Sequence, residues 1–82
     1  MDSGLLNAAR AGDREAIGDL VAPHLTRLRA LAYRILANRD DAEDAVQEAL
    51  ARALDKIAGF RGEAGFATWL YRITVNVCRD VL

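Results

Sequence analysis

The strongest constraint on this chain is a stretch in which Ala42, Ala45, Val46, Ala49, Leu50, Ala53, Leu54 and Ile57 recur at steps of three and four without a break. That spacing gathers them on one side of an α-helix, whereas in a strand it would scatter them over both faces. An amphipathic helix cannot bury its apolar stripe alone, so other elements must pack on it. Ahead of the run, Asp40 and Glu43 form a capping-box-like pair, with Asp in the usual place of Ser or Thr. Gly59 is the stop.

The remainder also follows helical periodicity, with no sustained period-two alternation. Ser3 is the expected N-cap of a first helix reaching Ala11, and Gly12 its terminator. Asp13 is placed to cap a second helix, whose Ile17, Leu20 and Val21 lead to Pro23. The proline either kinks that helix or opens a new one running to about Asn38. This next segment has Leu25, Leu28, Leu31, Ala32, Ile35 and Leu36 on one side. Residues 59–65 contain Gly59, Gly62 and Gly65 and are expected to form a loop. A last helix, from about Phe66 to Asp80 or beyond, carries Phe66, Trp69, Leu70, Ile73, Val77 and Val81 as its core stripe. The expected fold is all-α, a compact bundle of about four helices in a single domain over residues 1–82.

A chain of 82 residues buries only about 60–65% of the surface it exposes when unfolded, so its stability margin is thin. The 52% hydrophobic fraction is ample for a core, and 28% charged residues is ordinary for a surface. No run approaches the ~18 apolar residues that span a bilayer, and the N-terminus lacks a secretory pattern. The single cysteine, Cys78, excludes an intrachain disulfide framework and fits a reducing cytoplasm. No catalytic constellation is present: His24 stands alone, Cys78 lacks metal-ligand spacing, and there is no phosphate-binding glycine fingerprint. No cofactor or metal is expected, and the chain does not read as an enzyme.

The net charge of −1 conceals a segregation. Arg27, Arg29, Arg34 and Arg39 occupy a segment without a carboxylate, whereas residues 40–48 contain Asp40, Asp41, Glu43, Asp44 and Glu48. Such a division suits a protein that meets a basic protein surface on one side and a phosphate backbone on the other. Asp44, Gln47 and Glu48 stand at i, i+3 and i+4, opposite the apolar stripe. Asp41 extends that face one way, Arg52 and Asp55 the other. By spacing alone it is a solvated face, its acids favouring the helix dipole and Glu48 pairing with Arg52.

On the last helix, Thr68, Arg72, Asn76 and Arg79 step by four, four and three into a narrow polar row. Their hydroxyl, guanidinium and amide groups suit base edges and phosphates. The glycine-bracketed loop ahead of it holds Arg61, Glu63 and Ala64, and its backbone can approach a ligand closely. Asn76 is hardest to justify structurally in mid-helix. Phe66 and Trp69 are expected core anchors, His24 a surface or helix-start residue, and Asp80 or Glu63 an ion-pair partner for Arg72. Tyr71, Val75, Cys78 and Leu82 form a second apolar row. A bundle this small is not expected to bury it, so either the remainder of a longer polypeptide covers it or it forms a partner surface.

The string Asp40-Asp41-Ala42-Glu43-Asp44-Ala45-Val46-Gln47-Glu48, then Phe60-Arg61-Gly62, then Thr68-Trp69-Leu70-Tyr71-Arg72-Ile73 and Asn76, resembles region 2 of the extracytoplasmic-function sigma factors. The N-terminal stretch LLNAARAGDREAIGDLVAPHL looks like the helical lead-in of that family. The resemblance implies a transcription-initiation protein of the bacterial cytoplasm, associated with the nucleoid when active. It would dock on core RNA polymerase and recognise and help melt the promoter −10 element by capturing the non-template strand. It implies that Asp41, Asp44, Gln47, Glu48 and Arg52 face a coiled coil in the β′ clamp. It also implies DNA contacts from Arg61, Gly62, Glu63, Ala64, Thr68, Arg72, Asn76 and Arg79, with Gly62 to Ala64 forming a base pocket. An anti-sigma factor is a further expected partner, and membrane insertion is not expected. The C-terminal domain that reads the −35 element in full members of the family (region 4) is absent from these 82 residues. The alternative is a sigma-like helical protein–protein interaction module without DNA-reading activity.

Overall fold

The computed structural model describes residues 3–82, and over that span the chain is helical with short connections. The helices are α1 (Ser3–Arg10), α2 (Arg14–Val21), α3 (Leu25–Leu36), α4 (Arg39–Lys56) and α5 (Phe66–Val81). Single 3₁₀ turns at Ala22–His24 and Ile57–Gly59 link α2 to α3 and extend α4. Pro23 lies in the first of these turns, where its missing N–H removes no α-helical bond. Val21, Ala22, His24 and Leu25 all keep right-handed helical dihedrals. The α2–α3 pair is thus close to one bent rod, which accounts for the expected number of about four packed bodies.

Local chemistry sets most boundaries. Gly12 takes φ +100°, a left-handed conformation that terminates α1. The Asp13 carboxylate then accepts from the Ala16 N–H at 3.2 Å, capping α2 as its spacing implies. α1 begins at Ser3 itself, and the expected capping by the Ser3 side chain lies outside the described residues. α3 closes on Ala37, which is left-handed at φ 55° and donates its N–H to Tyr33 O at 2.8 Å.

The start of α4 corrects the expected Asp40–Glu43 capping box. Asn38 is the cap: it is extended, and its side-chain oxygen accepts from the Asp41 N–H at 2.9 Å. Asp40 and Asp41 therefore sit inside the first turn, favourably placed for the helix dipole. Glu43 instead accepts from Arg29 of α3 at 3.1 Å.

α4 is the central element, packed against both α3 and α5, while α1 packs on α2. Its alanines Ala42, Ala45, Ala49 and Ala53 are buried, as are Val46 and Ile57. Leu28, Phe66, Leu70 and Val77 are fully buried opposite them. Each such side chain contributes about 1.5–3 kcal/mol relative to exposure.

Because α3 also packs on α5, two sides of the last helix are covered. This corrects the expected second apolar row. Cys78 is fully buried, Tyr71 packs on the core and Val75 is half-buried, so only Leu82 remains exposed. Val81, expected in the core, is exposed because it lies at the end of α5. No helix among the described residues is long and apolar enough to cross a membrane.

Candidate functional site

α5 starts at Phe66 behind Gly65, a cap with no side chain and no side-chain hydrogen bond, and its first turn contains no acid. No acid within α5 itself compensates the positive end of the helix dipole, which faces the glycine loop and its Glu63. Thr68, Arg72, Asn76 and Arg79 are all exposed, in one row along the helix. With Tyr71 and Val75 they line a shallow depression of about 400 Å³. The Tyr71 hydroxyl lies beneath the surface with no hydrogen-bond partner among the described residues.

The loop contributes a second pocket, of about 250 Å³, in which Arg61, Gly62, Glu63 and Ala64 face Trp69 and Arg72. Gly62 takes φ +78°, a conformation a side chain disfavours. Arg72 lines both pockets, so loop and polar row meet at one residue. All eight expected DNA-contact residues therefore line one or other of two pockets that share Arg72.

What holds the loop is an aromatic cluster in which Phe60, not placed in the core by periodicity, joins the expected core anchors Phe66 and Trp69. Phe60 is buried, its ring 5.0 Å from Trp69 and 6.0 Å from Phe66, while Phe66 and Trp69 lie 5.7 Å apart. Trp69 anchors this cluster on one side and walls the loop pocket with the rest of its surface. His24, expected as a surface or helix-start residue, stands at the N-cap of α3 and is half-buried against the rings of Phe66 at 5.9 Å and Tyr71 at 6.2 Å. Thr74 is a further residue that the spacing missed. It is fully buried and satisfied by donating to Leu70 O at 3.0 Å, one turn back.

Charge is arranged to leave this surface cationic. Among the described residues Arg61, Arg72 and Arg79 form no ion pair, and the expected pairing of Arg72 with Asp80 or Glu63 does not occur. Asp80 is taken instead by Arg52 of α4 at 3.2 Å, which also holds Glu48 at 3.2 Å. The hydrogen bond that it donates to Glu48, then that to Asp80, raises the Arg52 guanidinium above its ordinary pKa.

On α4, Asp41, Asp44, Gln47 and Glu48 are exposed on the side away from the buried alanines. Arg52, placed with them by spacing, is partly covered and committed to its two carboxylates. The structure thus separates an acidic face on α4 from a cationic, pocketed face on the loop and α5.

Comparison with known proteins matches residues 20–82 to the model of sigma-70 region 2. The chain is 38% identical over 81 residues to the ECF RNA polymerase sigma-E factor of Haemophilus influenzae, covering 99% of this chain and 42% of that protein. It is 39% identical over 75 residues to SigW of Bacillus subtilis, covering 92% and 40%. With SigM of Mycobacterium tuberculosis the identity is 41% over 81 residues, covering 99% and 41%. The chain thus spans about two fifths of the length of these relatives. Among solved structures, an engineered region 2 of sigmaE determined by NMR in complex with GTAAAA superposes with a TM-score of 0.85 at 30% identity. That match covers 99% of this chain and 90% of the other. A family model covering most of the chain, and a fold shared with a solved region 2, place this protein in the sigma-70 region 2 family.

Proposed function

We propose that this chain is the part of a bacterial alternative sigma factor that docks on core RNA polymerase and captures the non-template strand of the promoter −10 element, helping to open the duplex. The observation that carries the reading is the position of Arg72, shared by the loop pocket and the depression along α5. A base turned into the loop and the backbone beside it would meet one continuous surface. Turning a base out of the stack costs a few kcal/mol, which pocket contacts and backbone charge offset. The relative solved with GTAAAA supports a short single-stranded ligand.

In this reading Gly62, Glu63 and Ala64 wall the base pocket. Arg61, Arg72 and Arg79 meet phosphates, and Thr68 and Asn76 address base edges. Asp41, Asp44, Gln47 and Glu48 present carboxylates and an amide to the β′ clamp coiled coil, with Arg52 ordering Glu48. Such a face supplies steering and register more than bulk affinity. Residues 1–82 act as one region 2 unit, a cytoplasmic binding protein rather than an enzyme. An anti-sigma factor covering either face would hold it inactive. With a net charge of −1, the chain binds DNA weakly alone and needs polymerase to act.

The test is the double change Arg72→Ala and Asn76→Ala, two exposed residues whose loss spares the core. Promoter opening by the reconstituted polymerase, and binding of a −10 non-template oligonucleotide, should both be lost. Survival of both activities means that Arg72 and Asn76 do not carry strand capture and overturns this reading. A parent chain that binds polymerase but no −10 oligonucleotide is instead a protein–protein module without DNA-reading activity.

A further inference from the structure

The loop pocket holds a carboxylate that nothing in the fold employs. Its charged side chains are Arg61, Glu63 and Arg72. An acid that shares a pocket with arginines is expected to close on one of them. Yet among the described residues Glu63 makes no ion pair and no side-chain hydrogen bond. It is exposed, so burial does not fix it there either. On a surface that attracts phosphates a free carboxylate works against binding. That loss is offset where the carboxylate meets a hydrogen-bond donor on the ligand, because a carboxylate accepts hydrogen bonds and gives none.

The donors and acceptors of the pocket specify the base that fits it. Arg61 and Arg72 only donate and Glu63 only accepts, so these side chains complement an edge with more acceptors than donors. A base turned out of the stack is read on its Watson–Crick edge. There cytosine presents O2 and N3 as adjacent acceptors, with its N4 amino group as a donor at one end. Guanine presents more donors than acceptors, and adenine one of each. Thymine has the same count as cytosine, but its donor lies between two carbonyl oxygens, whose lone pairs repel a carboxylate from both sides. Adjacent N3 and O2 also suit the parallel N–H groups of a guanidinium. We infer that the loop pocket selects cytosine as the turned-out base, with Glu63 accepting from its N4 amino group while Arg61 or Arg72 donates to N3 and O2. The remaining N–H groups of that arginine still face the backbone phosphates. This inference rests on the strand-capture reading and goes beyond it by naming the base and the residue that chooses it.

The test titrates the 82-residue chain with −10 non-template oligonucleotides in which each position is set in turn to cytosine, thymine, adenine or guanine. Glu63→Gln is compared with the parent. Glutamine keeps the size of the side chain, and its amide both donates and accepts, so it can face the thymine oxygens. Losing a negative charge strengthens phosphate attraction for every oligonucleotide alike, and the ratio of cytosine to thymine at one position is free of that effect. At a single position the parent should bind cytosine at least about tenfold more tightly than thymine, as expected of one good base contact. Glu63→Gln should bring that ratio to within about twofold and leave the ratios at other positions unmoved. If Glu63 serves only the dipole of α5, Glu63→Gln lowers Tm and leaves every ratio as in the parent, which overturns the inference. A position sensitive to Glu63 that favours thymine, adenine or guanine overturns it too. In both cases the parent still discriminates among bases, so strand capture stands and the cytosine assignment alone falls. A parent that binds every sequence alike removes the strand-capture reading and this inference with it.

Discussion

The Arg52 guanidinium reaches the Asp80 carboxylate at 3.2 Å, tying α4, which bears the acidic face, to the last turn of α5, which bears the polar row. The same guanidinium holds Glu48 at 3.2 Å. All three side chains are substantially exposed, so solvent and salt screen the pairs strongly. Arg52→Ala should therefore lower Tm slightly at low ionic strength and not at all at high salt. Its charge is held far beyond neutral pH. The pair's stabilisation is full below the ordinary guanidinium pKa and would be lost only as pH rises through the higher folded value, so no pH dependence from Arg52 should appear in the working range.

Phe60 links the loop to the core through Trp69 and Phe66. Removing its ring should cost about 3–5 kcal/mol, as for other buried Phe→Ala changes. Chemical denaturation of Phe60→Ala measures this, and Trp69 emission should shift in the folded variant as the indole loses its neighbour. If stability and emission are unchanged, Phe60 does not anchor the loop.

Most of the fold was legible in the sequence because helix periodicity does not depend on distant contacts. The run from Ala42 to Ile57, the Asp13 cap and the Gly12 stop are all local, and all appear in the structure. The start of α4 was misread because Asn38, Asp40 and Asp41 are similarly good caps, and the choice among them depends on how the chain leaves α3 through the left-handed Ala37. Phe60 was passed over because its burial depends on how a loop folds over another helix, which no period encodes. The polar row on α5 was visible as spacing. That it shares Arg72 with the loop pocket was not, since this joins two segments only in three dimensions.

The alanines of α4 make a further expectation. Ala49 is fully buried in the helix that packs on α3 and α5. A larger side chain there must push the neighbouring helices apart, and overpacking of this kind costs about 1–3 kcal/mol. Ala49→Leu should therefore lower the denaturation midpoint despite adding apolar area. A rise instead would mean that a void beside Ala49 accepts the added carbons.

Cys78 supplies a pH dependence. Its thiol is fully buried, and burial pushes its pKa above the ordinary value. In the unfolded chain the thiol ionises at about 8.5. Above that pH the unfolded state releases a proton that the folded state retains, so the folded state loses relative stability. The thiol's contribution is full below about 8.5 and declines as pH rises toward the folded value. Tm measured from neutral to alkaline pH should fall more steeply for the parent than for Cys78→Ala. Parallel slopes would contradict this.

The central claim is that the loop and α5 read a single strand through Arg72 and its neighbours. The most direct measurement is a titration of the chain with a library of single-stranded −10 oligonucleotides at two salt concentrations, repeated with Arg72→Ala and Asn76→Ala combined. The account predicts a clear sequence preference in the parent, with affinity falling as salt rises by a log–log slope of about −0.7 per phosphate contacted. In the double variant the preference should disappear and the slope should shrink by about one such contact. Equal binding to every sequence by the parent, or a double variant that binds and discriminates as the parent does, would contradict it.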